Sequence, residues 1–534
     1  MGRVIRGAQR GGRSVLARLD AWLNALYGTR YNPLYHSGAL VVGCFVILAV
    51  TGLYLLLFYR IGAPYESVER ITGQVWAGRW IRGLHRYVSD LAIVAAVVHA
   101  FRMAVQNRTW GPRALAWVSG LVLLLVFLVC GWTGYVMVWD VQAQLVATEG
   151  ARLLDVLPIF AEPIARTFVG ERPMPSAFFF LNLFAHIAIP VGILLILWIH
   201  VSRLARPALM PTRPLFWATT GLFTVLSVAW PISMAPRADL LRVPSDVALD
   251  VFYGFWIPLS QAIPPGAVWL TGLAAVAAVL AVPFRTRPPA EARVEPSWVN
   301  PRFCTGCEQC YHDCPYEAIS MVRRGDGQGD RSELKGDRSE FVALVDPSRC
   351  VSCGICAGSC APMGVGPPGR TGRDQLAAVK EFVECASPKP DDIVLVGCAH
   401  SAARSGEALT GAPLLRVSCA GNLHTSVVEY LVRAGAGGVM VVSCPPRDCW
   451  NREGVKWLAE RLYNERAAEL KDRVDRRRLR VTHASEGQAG SLVRDVERFR
   501  AEVRSLERTL GESSIELNPE CDLPAISVAQ EGGS

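Results

Sequence analysis

Two apolar stretches of this 534-residue chain each carry a pair of histidines, His85 and His99 in one and His186 and His200 in the other, and both pairs are fourteen positions apart. On a helix of about 100° and about 1.5 Å per residue, that separation puts both histidines on one face, about 21 Å apart. An imidazole in an apolar segment is costly and needs a partner. A lone histidine could bond to a neighbouring helix, but four at one repeated spacing favour two bis-histidine sites, a ligand set for haem iron.

Two further apolar stretches carry glycines at the same separation of fourteen positions, namely Gly38 and Gly52, then Gly120 and Gly134. These glycines would leave room for a flat macrocycle at each level, although small residues are also common where membrane helices pack. Arg82 and Arg102 each lie three positions from a histidine. We expect these arginines to bind haem propionates, with anchoring at the membrane interface as the alternative.

Two cysteine runs share the spacing C-x2-C-x2-C-x3-C, which is typical of [4Fe–4S] ligation. The first three thiolates of a run bind one cube, and the fourth usually binds the other. We therefore expect one cluster on Cys304, Cys307, Cys310 and Cys360, and a second on Cys350, Cys353, Cys356 and Cys314. Zinc is the alternative, but it prefers separated CxxC pairs.

Four more cysteines accompany the predicted strands of a C-terminal α/β region. Cys398, Cys419 and Cys444 each end a strand, and Cys449 is expected to start the next helix. The strand patterns IVLVGC, LLRVSC, VMVVSC and RLRV alternate with helical patterns, which predicts a parallel sheet with ligands beyond its carboxyl edge. Four thiolates there suit a [2Fe–2S] cluster or another metal. The alternative is separate buried cysteines that act as small hydrophobes.

The elements that position the histidines are membrane helices. Hydrophobic residues make up 51% of the chain and are concentrated between residues 38 and 284. Segments of about 20 apolar residues match the bilayer core. We predict six spans, at about 38–59, 84–105, 114–138, 177–203, 214–234 and 266–284.

The net charge of +8 follows the ends of the apolar segments, so it indicates topology rather than nucleic-acid binding. Arginines collect on one side of the alternating spans, which predicts a cytoplasmic N-terminus and a cytoplasmic C-terminal half. No cleavable signal peptide is expected, and clustered CxxC spacing indicates a reducing compartment. We therefore expect a multi-pass protein of the inner (cytoplasmic) membrane.

The predicted fold is multi-domain: an all-α bundle, a ferredoxin-like α+β domain and an α/β parallel-sheet domain. The expected parts are a basic N-terminus (1–37), a dihaem four-helix bundle (38–210), two further spans (211–287), a proline-rich linker (288–301), a two-cluster domain (302–370), the α/β domain (390–508) and a disordered tail (509–534). A polar repeat at 325–340 is expected to be a solvated loop.

Residues 25–285 resemble the cytochrome b family of quinol-oxidising bc and b6f complexes, through the two H-x13-H helices, the paired glycines, TGYVMVWD (133–140) and FYR (58–60). The resemblance implies two b haems and quinone sites at both membrane faces. It assigns His85 and His186 to the outer haem, and His99 and His200 to the inner one.

Two positions depart from that family. ADLLRVPSDVALDVFYGFW (238–256) resembles the segment that carries the PEWY signature of the outer quinol site, but the tetrapeptide here is LDVF. Asp250 then takes the glutamate position and is a candidate outer quinone residue. His36 stands near the place where b6-type proteins attach a third haem to a cysteine, and it is a candidate for an inner quinone site.

The C-terminal half carries two more resemblances. Residues 302–370 resemble bacterial two-cluster ferredoxins. GVMVVSCPPRDCWNREG (438–454) and RVSCAGN (416–422) resemble the small iron–sulfur (delta) subunit that links F420-non-reducing hydrogenase to heterodisulfide reductase. That subunit usually has a second cysteine near the first strand, where this chain has Ser401.

Together these features predict a subunit of a quinone-linked respiratory oxidoreductase. It would relay electrons between a cytoplasmic redox enzyme and the quinone pool through one [2Fe–2S], two [4Fe–4S] clusters and two b haems. Expected partners are membrane lipid, quinone and a flavin subunit of heterodisulfide-reductase type, a hydrogenase or a dehydrogenase, with a homodimer as a candidate assembly and no nucleic acid. The alternatives are a bc-type quinol-oxidising cytochrome b and a redox sensor or scaffold.

Overall fold

The computed structural model describes residues 2–158, 162–202, 208–242, 247–286, 295–324, 339–405, 410–464, 466 and 468–507. They divide into two compact units, one of residues 1–9 and 36–287 and the other of residues 10–35 and 288–534. The expectations for residues 288–294 of the linker, residues 325–338 of the polar loop and the tail 509–534 lie outside the described residues.

The first unit is built from helices. Helix α1 (Gly2–Tyr31) is interrupted at Gly28, whose φ of 71° is outside the helical range, and its residues are shared by the two units. The helices that follow are α2 (Ser37–Phe58), α3 (Pro64–Gly73), α4 (Gly78–Val105), α5 (Ala114–Val136), α6 (Val141–Leu154), α7 (Ser176–Ser202), α8 (Arg213–Ala229), α9 (Ile257–Ala262), α10 (Pro265–Leu280) and α11 (Val282–Thr286).

Five helical segments among the described residues are long and apolar enough to cross a membrane. They are Ser37–Phe58, Gly78–Val105, Ala114–Val136, Ser176–Val201 and Pro265–Thr286. The remaining predicted span corresponds to α8, which has 17 residues. At about 1.5 Å per residue such a helix is about 26 Å long, somewhat short of a hydrocarbon core of about 30 Å. The chain is thus a multi-pass membrane protein, and the sixth span stays a prediction.

The long helices pack in two pairs, α2 along α4 and α5 along α7. Cys44 of α2 is buried in one apolar cluster with Leu84 and Val88 of α4. Because the histidines lie on α4 and α7, each pair contributes one histidine-bearing helix and one glycine-bearing helix.

The two cysteine runs lie in a small α+β region of the second unit. Strand β1 (Trp298–Val299) pairs antiparallel with β4 (Val365–Gly366), and β2 (Ile319–Arg323) pairs antiparallel with β3 (Phe341–Val345). Short helices α12 (Gln309–Asp313) and α13 (Ile355–Gly358) each contain one cysteine of a run. The antiparallel pairs and short helices agree with the expected α+β class.

The C-terminal region contains the predicted parallel sheet. Its strands are β5 (Ile393–Cys398), β6 (Leu414–Val417), β7 (Gly438–Ser443) and β8 (Leu479–His483), in the spatial order β6-β5-β7-β8. The helices are α14 (Gly372–Ala386), α15 (Thr425–Arg433), α16 (Gly454–Tyr463) and α17 (Ala489–Glu507). Every residue of β5 and β7 is buried, as is typical of a parallel sheet covered on both faces.

One expectation about this sheet is wrong. Cys449 does not start a helix, because it follows a 3-10 turn (Pro446–Asp448), and α16 begins only at Gly454. The intervening loop leaves Cys449 beyond the carboxyl end of β7, near Cys444.

Candidate functional site

The structure brings the four membrane histidines together in two pairs. The ring centres of His85 and His186 are 6.3 Å apart. A metal ion about 2.0 Å from one nitrogen of each imidazole would lie between ring centres about 6 Å apart, so these two residues could hold one metal ion together. His99 and His200 interact electrostatically and form the second pair.

Each of the four glycines faces one of these histidines. A Cβ atom built at Gly38 would lie 2.9 Å from Cε1 of His99, and one at Gly134 would lie 2.6 Å from Cε1 of His186. The corresponding distances are 3.2 Å from Gly52 to His85 and 3.0 Å from Gly120 to His200. Each glycine therefore allows an imidazole to pack closely against the helix that carries the glycine. This role is more specific than the expected one of leaving room for a macrocycle.

The residue before each glycine carries a hydroxyl group that contacts the same histidine. The distances to Nδ1 are 2.8 Å from Thr51 to His85, 3.1 Å from Ser119 to His200, 3.2 Å from Thr133 to His186 and 3.4 Å from Ser37 to His99. Sequence reasoning missed these hydroxyls, although the fourfold repeat of a Ser/Thr-Gly dipeptide could have revealed them.

These contacts decide which imidazole nitrogen can bind a metal. Nδ1 of His186 lies 2.8 Å from the carbonyl oxygen of Cys130, which can only accept a hydrogen bond, so Nδ1 carries the proton. His85 and His200 also hydrogen-bond to backbone, at Leu48 and Ala116. A protonated Nδ1 leaves the lone pair of Nε2 available for a metal.

The two predicted propionate arginines have different surroundings. Arg82 donates to the carbonyl of Ile232 at 2.9 Å and to the hydroxyl of Thr72 at 3.2 Å. Arg102 is buried and interacts electrostatically with His99. Arg102 is therefore beside the second histidine pair, whereas the observed partners of Arg82 belong to loops and α3.

Asp250, the first candidate quinone residue, is engaged in an ion pair. Its carboxylate accepts hydrogen bonds from Arg86 and from the backbone N–H groups of Phe252 and Tyr253, the latter two at 2.8 Å. Arg86 also pairs with Asp90 on the same helix. The carboxylate therefore anchors the turn at 250–254 to α4.

Tyr253 belongs to the same cluster. Its ring lies 4.9 Å from the guanidinium of Arg86, and its hydroxyl bonds with Ser89. Burial raises the pKa of the Tyr253 phenol to about 12, so the phenol stays protonated at neutral pH. His36, the second candidate quinone residue, is buried just before α2 and accepts a hydrogen bond from the Leu40 N–H through its carbonyl.

The two cysteine runs line two cavities in the combination expected from the sequence. A cavity of about 340 Å³ is lined by Cys304, Cys307, Cys310 and Cys360, and one of about 310 Å³ by Cys314, Cys350, Cys353 and Cys356. Within the described part of the chain, no group of three or more His, Cys, Asp or Glu side chains has the arrangement of a site for a single metal ion. Four cysteines around each cavity fit the four-thiolate ligand set that the spacing predicts for a [4Fe–4S] cluster.

Backbone N–H groups point at the sulfurs of these cavities. Ala318 donates to Cys314 at 3.3 Å, Gly364 to Cys360 at 3.2 Å, and Ser297 to Cys350 at 3.3 Å. Such N–H···S bonds favour the thiolate and tune the reduction potential of a bound cluster.

The four cysteines of the sheet form a closed ring. Cys398 lies within hydrogen-bonding reach of Cys419 and Cys444, and Cys449 closes the ring against the same two. A Cβ at Gly454 would lie only 3.0 Å from Sγ of Cys419, so glycine leaves the room that the ring needs. The hydroxyl of Ser401 donates to the carbonyl of Cys398 at 2.8 Å and therefore bonds to backbone.

Three family models match separate parts of the chain. The cytochrome b/b6/petB model matches residues 24–207, which contain all four histidines. The 4Fe-4S dicluster domain model matches residues 303–364, and the model for the delta subunit of methyl-viologen-reducing hydrogenase matches residues 394–507. The predicted fusion of three parts is confirmed.

Curated relatives match the helical part. The cytochrome b subunit of menaquinol:cytochrome c reductase from Geobacillus thermodenitrificans is 27% identical over 190 residues, covering 33% of this chain and 83% of that protein. Cytochrome b6 from Heliobacterium modesticaldum is 29% identical over 184 residues, covering 33% and 86%. Cytochrome b6 from Amphidinium operculatum is 30% identical over 157 residues, covering 28% and 72%.

Proposed function

Because the chain belongs to the cytochrome b/b6 family through residues 24–207, we propose that it is a membrane subunit that relays electrons between a soluble redox enzyme and the quinone pool. The dicluster and hydrogenase delta-subunit matches in the same chain extend the relay beyond the haem-bearing bundle. The observation that carries the proposal is that one polypeptide chain contains both the two histidine pairs and the three cysteine sets.

The membrane part of the relay would be held by the histidine pairs. His85 with His186 would bind the outer b haem, and His99 with His200 the inner one. The glycines and hydroxyls support this assignment, because they hold the imidazoles in place, and the carbonyl of Cys130 leaves Nε2 of His186 free. Haem and iron–sulfur centres, when bound, accept and release single electrons.

The soluble part would be held by the cysteines. Two [4Fe–4S] clusters would occupy the two cavities, and the ring at the sheet edge would hold a [2Fe–2S] cluster. The delta-subunit match supports a soluble partner such as a hydrogenase, a dehydrogenase or a heterodisulfide-reductase-type flavin subunit. The relatives named as menaquinol:cytochrome c reductase subunits support a quinone at the other end.

The number of spans decides on which side of the membrane the iron–sulfur domains would lie. Six spans, with arginine collected on one side, would put the iron–sulfur domains in the cytoplasm at the inner membrane. A relay across the bilayer would move charge, at about 2.3 kcal/mol per charge per 100 mV of membrane potential.

The second candidate is a bc-type quinol-oxidising cytochrome b, favoured by the similarity to the cytochrome b subunit of menaquinol:cytochrome c reductase. It would need a reactive carboxylate at the outer quinone site. The ion pair of Asp250 with Arg86 favours a structural role for that carboxylate instead.

The test is spectroscopy of the purified full chain. We expect two bis-histidine b haems and about twelve irons per chain, eight in cubanes, two in [2Fe–2S] and two in haem. Reducing the iron–sulfur centres with a soluble low-potential donor should reduce haem in the wild type. It should fail to do so in His99→Ala, while the exposed Arg166→Ala serves as the control. Haem-free protein, or haem reduction unaffected by His99→Ala, would contradict the proposal.

A further inference from the structure

The ring of cysteines at the sheet edge lies next to one particular cubane cavity. Cys353 of the second cavity interacts electrostatically with Cys419 of the ring. Asn422, just after Cys419, donates to the carbonyl of Gly354 at 2.9 Å. A Cβ at Gly354 would lie 2.4 Å from Asn422, so only glycine permits this approach of the two loops.

A buried arginine joins the same two loops. Arg370 is 5% exposed. Its Nη1 donates to the hydroxyl of Ser418 at 3.1 Å, and its Nη2 donates to the hydroxyl of Ser352 at 2.7 Å. Each serine directly precedes a cysteine, Cys419 in the ring and Cys353 in the cavity. One guanidinium is therefore fixed between a ligand candidate of each site.

The charges that act on Arg370 come from both cysteine sets. They are those of Cys353, Cys419, Cys356 and Cys350. A buried cation requires a compensating negative charge. A cluster bound by four thiolates is negative and becomes more negative when reduced, so the guanidinium stabilises the reduced form.

A second buried arginine has a different set of charges around it. Arg461 is 1% exposed and donates to the Gly421 carbonyl at 2.6 Å and the Ser359 hydroxyl at 2.8 Å. Among the charges that act on it, that of Asp313 comes first. Cys419 and Cys356 also act on Arg461, so part of its charge is balanced by Asp313 and part by cysteines, whereas the charges that act on Arg370 are all those of cysteines.

We propose that one electron passes directly between the centre on the Cys398–Cys419–Cys444–Cys449 ring and the centre on Cys314, Cys350, Cys353 and Cys356, and that Arg370 is the positioning residue of this step. One centre loses the electron and the other gains it, with no bond broken and no proton moved. The inference rests on the proposed function, because both cysteine sets must hold iron–sulfur clusters. The cavity with the exposed Cys307 would come after this pair in the relay.

The test is an EPR-monitored redox titration of the full chain in detergent. Arg370→Gln removes the charge, and we expect the midpoint potentials of the ring centre and the second cubane to fall. A tenfold change in the reduction equilibrium would correspond to about 59 mV for a one-electron couple. The first cubane, identified by the signal lost in Cys307→Ala, should keep its potential. Arg370→Lys should restore most of the shift, and the exposed Arg433→Gln is the matched control.

Equal potentials in Arg370→Gln and Arg433→Gln, or one equal shift of all three centres, would overturn the inference. If Arg370→Gln fails to assemble, Ser418→Ala keeps the charge but removes its anchor beside Cys419. The midpoint potential of the centre on the cysteine ring should then fall, and an unchanged midpoint potential would also overturn the inference. Wild-type protein without iron would instead refute the proposed function, so the two failures are distinguishable.

Discussion

Gly134 lies so close to His186 that a Cβ atom at position 134 would be 2.6 Å from the imidazole Cε1. The two residues are on α5 and α7, so the glycine is part of how one helix seats a ligand of the other.

Replacing Gly134 should therefore displace His186, the proposed haem ligand. We expect Gly134→Val to lose one of the two b haems, because the side chain pushes the His186 ring out of line. The measurement is haem per chain, together with the low-temperature spectrum. Gly192→Val on α7 is the control, since a Cβ there meets nothing within 4 Å. Two haems in Gly134→Val would contradict the seating role.

The hydroxyl of Thr51 should act on the haem of His85 without being a ligand. Thr51→Val keeps the size of the side chain but removes the group 2.8 Å from Nδ1. Loss of such an outer contact typically weakens metal retention by about 10–100-fold. We expect faster haem loss to apomyoglobin, at unchanged helix content. Thr220→Val is the control, because that hydroxyl bonds to the carbonyl of Phe216 in its own helix.

The cysteines that line the two cavities predict that each cluster takes three ligands from one run and the fourth from the other run. Cys360→Ala and Cys304→Ala should lose the same [4Fe–4S] EPR signal, because both residues line the first cavity. Cys356→Ala should lose the other signal, although it is only four residues from Cys360. Each variant should contain about four irons fewer per chain. If Cys360→Ala and Cys356→Ala removed one and the same signal, cross-run ligation would be wrong.

Asp250 should behave as a structural residue. Asp250→Asn keeps acceptors for the turn but breaks the ion pair with Arg86, which retains Asp90. We expect a loss of about 1–2 kcal/mol in stability, since the pair is partly buried. Thermal unfolding in detergent measures it, with the exposed Glu162→Gln as the control. Unchanged stability with abolished quinol oxidation would identify a catalytic carboxylate instead.

Fixed spacing made much of this architecture predictable. The histidine pairs, the cross-run cysteine sets and the parallel strands are predicted from short sequence intervals, and the structure brings these residues together, whereas the cofactors that they would hold stay a proposal. Other features depend on long-range contacts that spacing does not encode. Arg86 and Asp250 are 164 positions apart, and the contact of Thr51 with His85 depends on how α2 packs on α4.

The seating of the histidines has a consequence for how the protein is assembled in the cell. Each imidazole is held within one helical hairpin, His85 and His99 by α2, and His186 and His200 by α5. The hairpins α2/α4 and α5/α7 can therefore each orient their own two histidines independently during membrane insertion. Haem would then arrive last and cross-link the two hairpins, so cofactor supply would control when the bundle matures.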